Sequence, residues 1–284
     1  MCDHLLCHKD ALDLLGLTML IYIIDKDIIL NHNNNTENVI DTIKQHCIKN
    51  IKMSDVRKGV LIDILNSTQN AELLEYISDA DTDLQVAVTI SHVNKRICIV
   101  FRGSESMSDW YYDLCLFKKK IHENIHVHRG FYNQLTINNN DEKITSVVKK
   151  ALEKYPDYKI YTCGHSLGGA LCTLYGYLLS EQIENNVIIV SFASPRVGNS
   201  GWKTAFDKKQ NLTHMRITNN NDIVTALPMT LYNHVGHNIR LEETKCTMLL
   251  DYSYSWWDYS VFKCNSISDH NCDSYYTRLL KNKW

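Results

Sequence analysis

One run of residues, Gly164-His165-Ser166-Leu167-Gly168-Gly169, constrains the fold of this 284-residue chain more than any other. Before it stands Tyr158-Lys159-Ile160-Tyr161-Thr162-Cys163, which reads as a buried strand. After it an apolar stretch continues to about residue 183 and reads as a helix. A serine between two glycines at a strand-to-helix junction is the pattern G-x-S-x-G. The glycines let strand and helix crowd together, and the sharp turn lifts the serine hydroxyl out of the sheet. The helix start adds positive potential and N–H groups with no partner inside the helix. Ser166 is therefore the candidate nucleophile.

The surrounding pattern fits an open α/β sheet. Val86, Val88 and Ile90 alternate with polar residues, a turn at Asn94-Lys95 follows, and Ile97 to Phe101 is a continuous apolar run, so a hairpin with one buried strand is expected. Further buried strands are expected near 158–163, 187–193 and 212–218. Helices are expected near 105–114, 141–154, 167–183 and 199–209. This alternation predicts a mostly parallel central sheet flanked by helices, with chemistry at the carboxyl ends of its strands. In residues 1–80 the apolar positions Val60, Leu61, Ile64, Leu65, Leu73, Leu74 and Ile77 recur at helical spacing. The expected organisation is a mainly helical N-terminal extension, 1–80, packed on an α/β domain, 81–284. No internal repeat or long Gly/Ser/Pro linker divides the chain.

A serine is a weak nucleophile at neutral pH and needs a base, which in turn needs an orienting acid. Thirteen histidines compete for the role of base. His165 lies beside Ser166, but the chain direction points it elsewhere, so it reads as structural. His126 and His128 alternate on a strand, where a half-exposed β histidine is at least as good a reading as a catalytic one, and His234 and His237 flank Gly236 too soon after Asp222 and read as framework. His270, in Ser268-Asp269-His270-Asn271, sits where a loop near the C-terminus can return over the sheet. Asp222 stands just past the carboxyl end of the strand 212–218. The order Ser166, Asp222, His270 is that of α/β-hydrolases.

A tetrahedral intermediate needs N–H donors for its oxyanion. Leu167, directly after the nucleophile, supplies one, and Ser104 in Phe101-Arg102-Gly103-Ser104, leaving the first buried strand, can offer the other unless the segment is a simple turn glycine with a cap serine. Met107, Trp110, Tyr111 and Leu114 follow at i, i+3, i+4 and i+7, an amphipathic helix that reads as a surface helix or as a lid over the site.

Composition narrows the function classes. Thirty basic and thirty-two acidic residues leave a net charge of −2, so no basic field exists to hold nucleic acid. The longest uncharged apolar run, Leu14 to Ile24, is too short to span a bilayer, and Asp25-Lys26-Asp27 follows where a signal peptide needs small residues. An intracellular location is favoured, with secretion by another route left open. The ten cysteines are then mostly free buried thiols, with a Cys264–Cys272 pair only in an oxidising compartment. Cys2, His4, Cys7 and His8 match no common zinc spacing, so no metal is expected.

The motifs Phe101-Arg102-Gly103-Ser104, Asp109-Trp110 with Asp113-Leu114, His128-Arg129-Gly130-Phe131, Gly164 to Ala170, Ser194 to Asn199, Asn221-Asp222-Ile223-Val224 before Leu227-Pro228, His234-Val235-Gly236 and Asp269-His270 together resemble the class 3 (fungal-type) lipases. The resemblance covers residues 84–280 and implies an α/β-hydrolase fold and hydrolysis of neutral esters without metal or organic cofactor. By position it assigns Ser166 as nucleophile, Asp222 as acid, His270 as base, Ser104 and Leu167 as oxyanion donors, and the helix near 105–114 as lid. Two positions depart from the family pattern. Ile223 replaces a frequent proline, and the aromatic after the histidine, Tyr275, comes five residues on. The expected activity is hydrolysis of acylglycerol-type esters through an acyl-enzyme, with transient lipid contact through the lid and no obligate protein partner. A phospholipase A1 or short-chain esterase would use the same three residues. A non-catalytic interaction protein on this scaffold would usually have lost one of them.

Overall fold

The computed structural model describes residues 6–23, 59, 71–104, 117–243, 245–249 and 266–284. Among these, eight strands form one sheet in the order β1 (Glu72–Asp79), β2 (Leu84–Ser91), β3 (Arg96–Phe101), β6 (Lys159–His165), β7 (Val187–Phe192), β8 (Leu212–Asn219), β9 (His237–Leu241) and β10 (Cys246–Leu249). The five strands from β3 to β9 run parallel, while β1, β2 and β10 join antiparallel at the edges. A separate hairpin pairs β4 (Lys118–His122) with β5 (Ile125–His128).

Strand alternation divides the core between the two faces of the sheet. Ile97, Ile99 and Phe101 of β3 face a core shared with the helices α2 (Arg129–Thr136), α3 (Asn140–Lys154), α4 (Leu167–Ser180) and α5 (Ser200–Asp207). Cys98 and Val100 face the opposite core, closed by α1 (His8–Leu20) and α6 (Cys272–Lys281). Helix α1 buries Leu14, Leu15, Leu17, Met19 and Leu20, and Arg96 of β3 holds its first turns through Asp10 and Asp13, each at 3.2 Å. Burial pushes the Asp13 carboxyl up, with the Arg96 guanidinium pulling against it.

The segment holding Leu73, Leu74 and Ile77 corrects the sequence expectation. It is an edge strand, β1, where a helix was expected, and its hairpin with β2 straddles the boundary expected after residue 80. A bulge between Leu73 and Glu75 puts two apolar residues side by side and destroys the period-two signal. Val60, Leu61, Ile64 and Leu65 lie outside the described residues. Among the described residues no helix is long and apolar enough to cross a membrane.

Candidate active site

Strand β6 ends at His165 and α4 begins at Leu167, so Ser166 occupies the turn alone. Its backbone is at φ 59° and ψ −124°, a conformation that L-residues avoid and that the surroundings must enforce. The Ser166 N–H donates to the Phe192 carbonyl at 3.0 Å, and its own carbonyl accepts from Gly169 and Ala170. A side chain on Gly164 would strike the Gly168 carbonyl, and one on Gly168 would strike the Phe101 carbonyl. Strand end, helix start and the chain leaving β3 therefore meet at van der Waals distance.

Asp222 follows β8, and its Oδ1 accepts the Val224 N–H at 2.9 Å. The loop carrying His270 is stitched to this point: Ser266 N–H donates to Asn221 O at 2.9 Å, Ile223 N–H to Ser266 O at 3.3 Å, and Asn219 Nδ2 to Asp269 O at 2.6 Å. His270 Nδ1 then lies 2.9 and 3.0 Å from the two Asp222 oxygens, and its Nε2 lies 2.8 Å from Ser166 Oγ. The three side chains singled out in the sequence thus form one hydrogen-bonded row, all of it buried. With Nδ1–H donating to the carboxylate, Nε2 is left to accept the serine proton.

Tyr275 joins this row. Its hydroxyl donates to Asp222 Oδ2 at 2.7 Å and accepts the Asn219 N–H at 2.9 Å. The short turn Ser268–His270 followed directly by α6 carries Tyr275, five residues past the histidine, back to the carboxylate.

His165 requires a second correction. Its side chain does not turn away from the site, for its Nε2 lies 2.6 Å from the His270 carbonyl and the two rings are 4.7 Å apart. Burial, then the neighbouring His270, drive its pKa well below 6.5. Three of the remaining candidates take structural partners: His234 Nε2 meets Thr225 O at 2.7 Å, His126 meets Asn199, and His128 caps α2 through the Phe131 N–H.

Leu167 is the first residue of α4, where N–H groups have no partner inside the helix. Ser104 ends the described part of the loop that crosses the turn. Met107, Trp110, Tyr111 and Leu114 lie outside the described residues, as do Cys2, His4 and Cys264. His8 Nε2 meets the Leu279 carbonyl at 2.7 Å. Among the described residues no group of histidines, cysteines and carboxylates could hold a metal ion.

Comparison with known proteins adds a family to this geometry. The model of the lipase (class 3) family matches residues 98–232, the stretch from β3 through the turn at Ser166 to the loop after Asp222. Over that stretch the chain is similar to the class 3 lipases. It is 28% identical to the lipase of Rhizomucor miehei over 217 residues, 72% of this chain and 59% of that protein. It spans about half the length of the curated relatives it matches. A triacylglycerol lipase whose catalytic centre is described as a serine protease triad superposes with a TM-score of 0.66 at 25% identity, covering 73% of this chain and 82% of that one. A fungal lipase in complex with an inhibitor reaches 0.71 at 21% identity over 95% of both chains, a likeness of fold.

Proposed function

We propose that this chain is a serine carboxylester hydrolase of the class 3 lipase family that cleaves acylglycerol-type lipid esters. The observation that carries the reading is the buried hydrogen-bonded row from Ser166 Oγ through His270 to Asp222 on a strained strand-to-helix turn. Ser166 Oγ attacks the ester carbonyl carbon while its proton passes to His270 Nε2. Asp222 stabilises the resulting imidazolium and takes no proton itself. The oxyanion lies against the N–H groups of Leu167 and Ser104. As the intermediate collapses, the C–O bond breaks and the proton on Nε2 goes to the departing alcohol, leaving an acyl-serine. A water molecule then gives its proton to Nε2 and its oxygen to the acyl carbon, which releases the acid and restores Ser166.

A panel of nitrophenyl esters from two to sixteen carbons, emulsified triacylglycerol and phospholipid tests the reading and separates lipase from esterase and phospholipase. Ser166→Ala should lower kcat by about 10⁶ if the serine behaves as the subtilisin nucleophile does. An organophosphonate should label Ser166 alone. Wild-type chain that turns over no ester in the panel, or a Ser166→Ala variant that retains turnover, overturns the proposal.

A further inference from the structure

The turn after α1 brings a tyrosine from the far N-terminal end of the described chain to the underside of the candidate site. Tyr22 Oη lies 3.3 Å from His165 Nδ1, across 143 positions of sequence. The other nitrogen of that ring, Nε2, lies 2.6 Å from the His270 carbonyl. A carbonyl oxygen only accepts, so Nε2 must carry the proton. The ring is buried and neutral, which leaves Nδ1 as an acceptor, and the Tyr22 hydroxyl must donate to it. The phenol oxygen in turn meets the Gly103 backbone N–H. Every proton in the chain Gly103 N–H, Tyr22 O–H, His165 and His270 C=O therefore has one direction.

We infer that Tyr22 is a positioning residue for the candidate active site, holding the His270 backbone through His165 and the Ser104-bearing loop through Gly103. Close packing at Gly103 fixes the second contact. A Cβ there would collide with Tyr22 Oη and stand 2.6 Å from the His165 carbonyl, so phenol, loop and turn already touch. The first contact acts on geometry that catalysis is sensitive to. His270 Nε2 must stay 2.8 Å from Ser166 Oγ, and displacements of about 1 Å in such arrangements cost about 10²-fold in rate. Tyr22 touches neither Ser166 nor Asp222 among the contacts described, so its effect is transmitted through the neighbouring backbone. Helix α1, which no family motif covers, thereby becomes part of the site's support.

The inference rests on the ester-hydrolase reading for its kinetic test and on direct spectroscopy for its geometric one. Tyr22→Phe removes a single hydroxyl. On a water-soluble butyrate ester it should lower kcat by about fivefold to tenfold, the size of one neutral hydrogen bond, with KM within about twofold. His165→Gln, whose amide nitrogen can reach the place of Nε2, should keep more of kcat than His165→Leu. In the ¹⁵N spectrum of histidine-labelled wild-type chain, His165 should show the Nε2–H form with a hydrogen-bonded Nδ1, and that Nδ1 signal should move in Tyr22→Phe. Equal kcat in wild type and Tyr22→Phe, a change confined to KM, or an Nδ1–H form of His165 overturns the inference. If the wild-type chain hydrolyses no ester, the proposed function fails, and the His165 spectrum alone decides the role of Tyr22. The wild-type tautomer also decides it should Tyr22→Phe fail to fold.

Discussion

Replacing Tyr275 with phenylalanine removes one oxygen and leaves the ring, so the outcome isolates what that hydroxyl contributes. Two hydrogen bonds disappear. The one donated to Asp222 Oδ2 at 2.7 Å goes to a carboxylate, a kind of bond that contributes about 1.5–3 kcal/mol. The one accepted from the Asn219 N–H at 2.9 Å leaves a buried donor unpaired, which costs about 1–3 kcal/mol. The two share an atom and are not additive, so a loss of about 3 kcal/mol is expected, a large fraction of the roughly 5–15 kcal/mol typical of a domain. Urea melts should show a lower midpoint at an unchanged slope, because the surface exposed on unfolding stays the same. The kinetic effect should be smaller than the loss of the acid itself. Asp222 retains the Val224 N–H and His270 Nδ1, so the imidazole keeps its partner and kcat should fall about tenfold. A variant as stable as wild type to within about 0.5 kcal/mol would refute the energetic argument. A loss of kcat beyond about 10³ would refute the structural role and place Tyr275 in the chemistry itself.

Asp222→Asn should lower kcat by about 10⁴, as the equivalent change does in trypsin, by letting His270 adopt the wrong tautomer; retention of more than about a tenth of activity would contradict the orienting role. His165, His214 and His234 are buried with pKa values driven well below 6.5, chiefly by burial. The unfolded chain takes up protons near pH 6.5 that the folded chain refuses, so stability is complete above that pH and is lost as pH falls. About 1 kcal/mol per histidine, a few kcal/mol for the three, should disappear between pH 7.5 and 5.5, and equal urea midpoints at the two pH values would contradict this. Arg96→Met strips the buried Asp13 of its partner and should cost about 3 kcal/mol in the same melts, with no change taken as proof that the pair is energetically idle.

The parts of the fold that the sequence announces are those in which each residue's environment repeats locally. Strand β3 is a continuous apolar run because helices cover both faces of the sheet there, and β2 alternates well enough to be recognised beside it. Helix α4 is apolar all round because it lies between the sheet and α2, so its limits were close to those expected. Strand β1 fails the same test for a local reason. At the sheet edge its burial is partial, and the bulge sets Leu73 beside Leu74 with Ile77 three further on, a spacing that a helix satisfies equally well.

Legibility of the candidate site divides along a different line. Ser166 is announced by its own neighbours, since a turn that tight admits few residues on either side. Asp222 and His270 are announced by their order in the chain and by strand ends, which fix where a side chain can appear without fixing what it touches. Tyr22 and His165 carry no such mark, and Tyr275 is marked only as the aromatic five residues past His270. An aromatic at the end of an apolar helix, a histidine next to the nucleophile and a tyrosine one turn into a C-terminal helix are each ordinary in isolation. Their roles exist only once α1 and α6 are packed on the same sheet face, where two hydroxyls and one imidazole fall beneath His270 and Asp222. The reacting groups can thus be listed from local pattern, whereas the groups that hold them still depend on contacts between the two ends of the chain. Among these, Trp284 Nε1 donates to the Leu6 carbonyl at 3.1 Å and His8 reaches Leu279. Loosening of either terminus should therefore reach the site through Tyr22 and Tyr275 before it reaches Ser166, whose backbone is held by β7 and the first turn of α4.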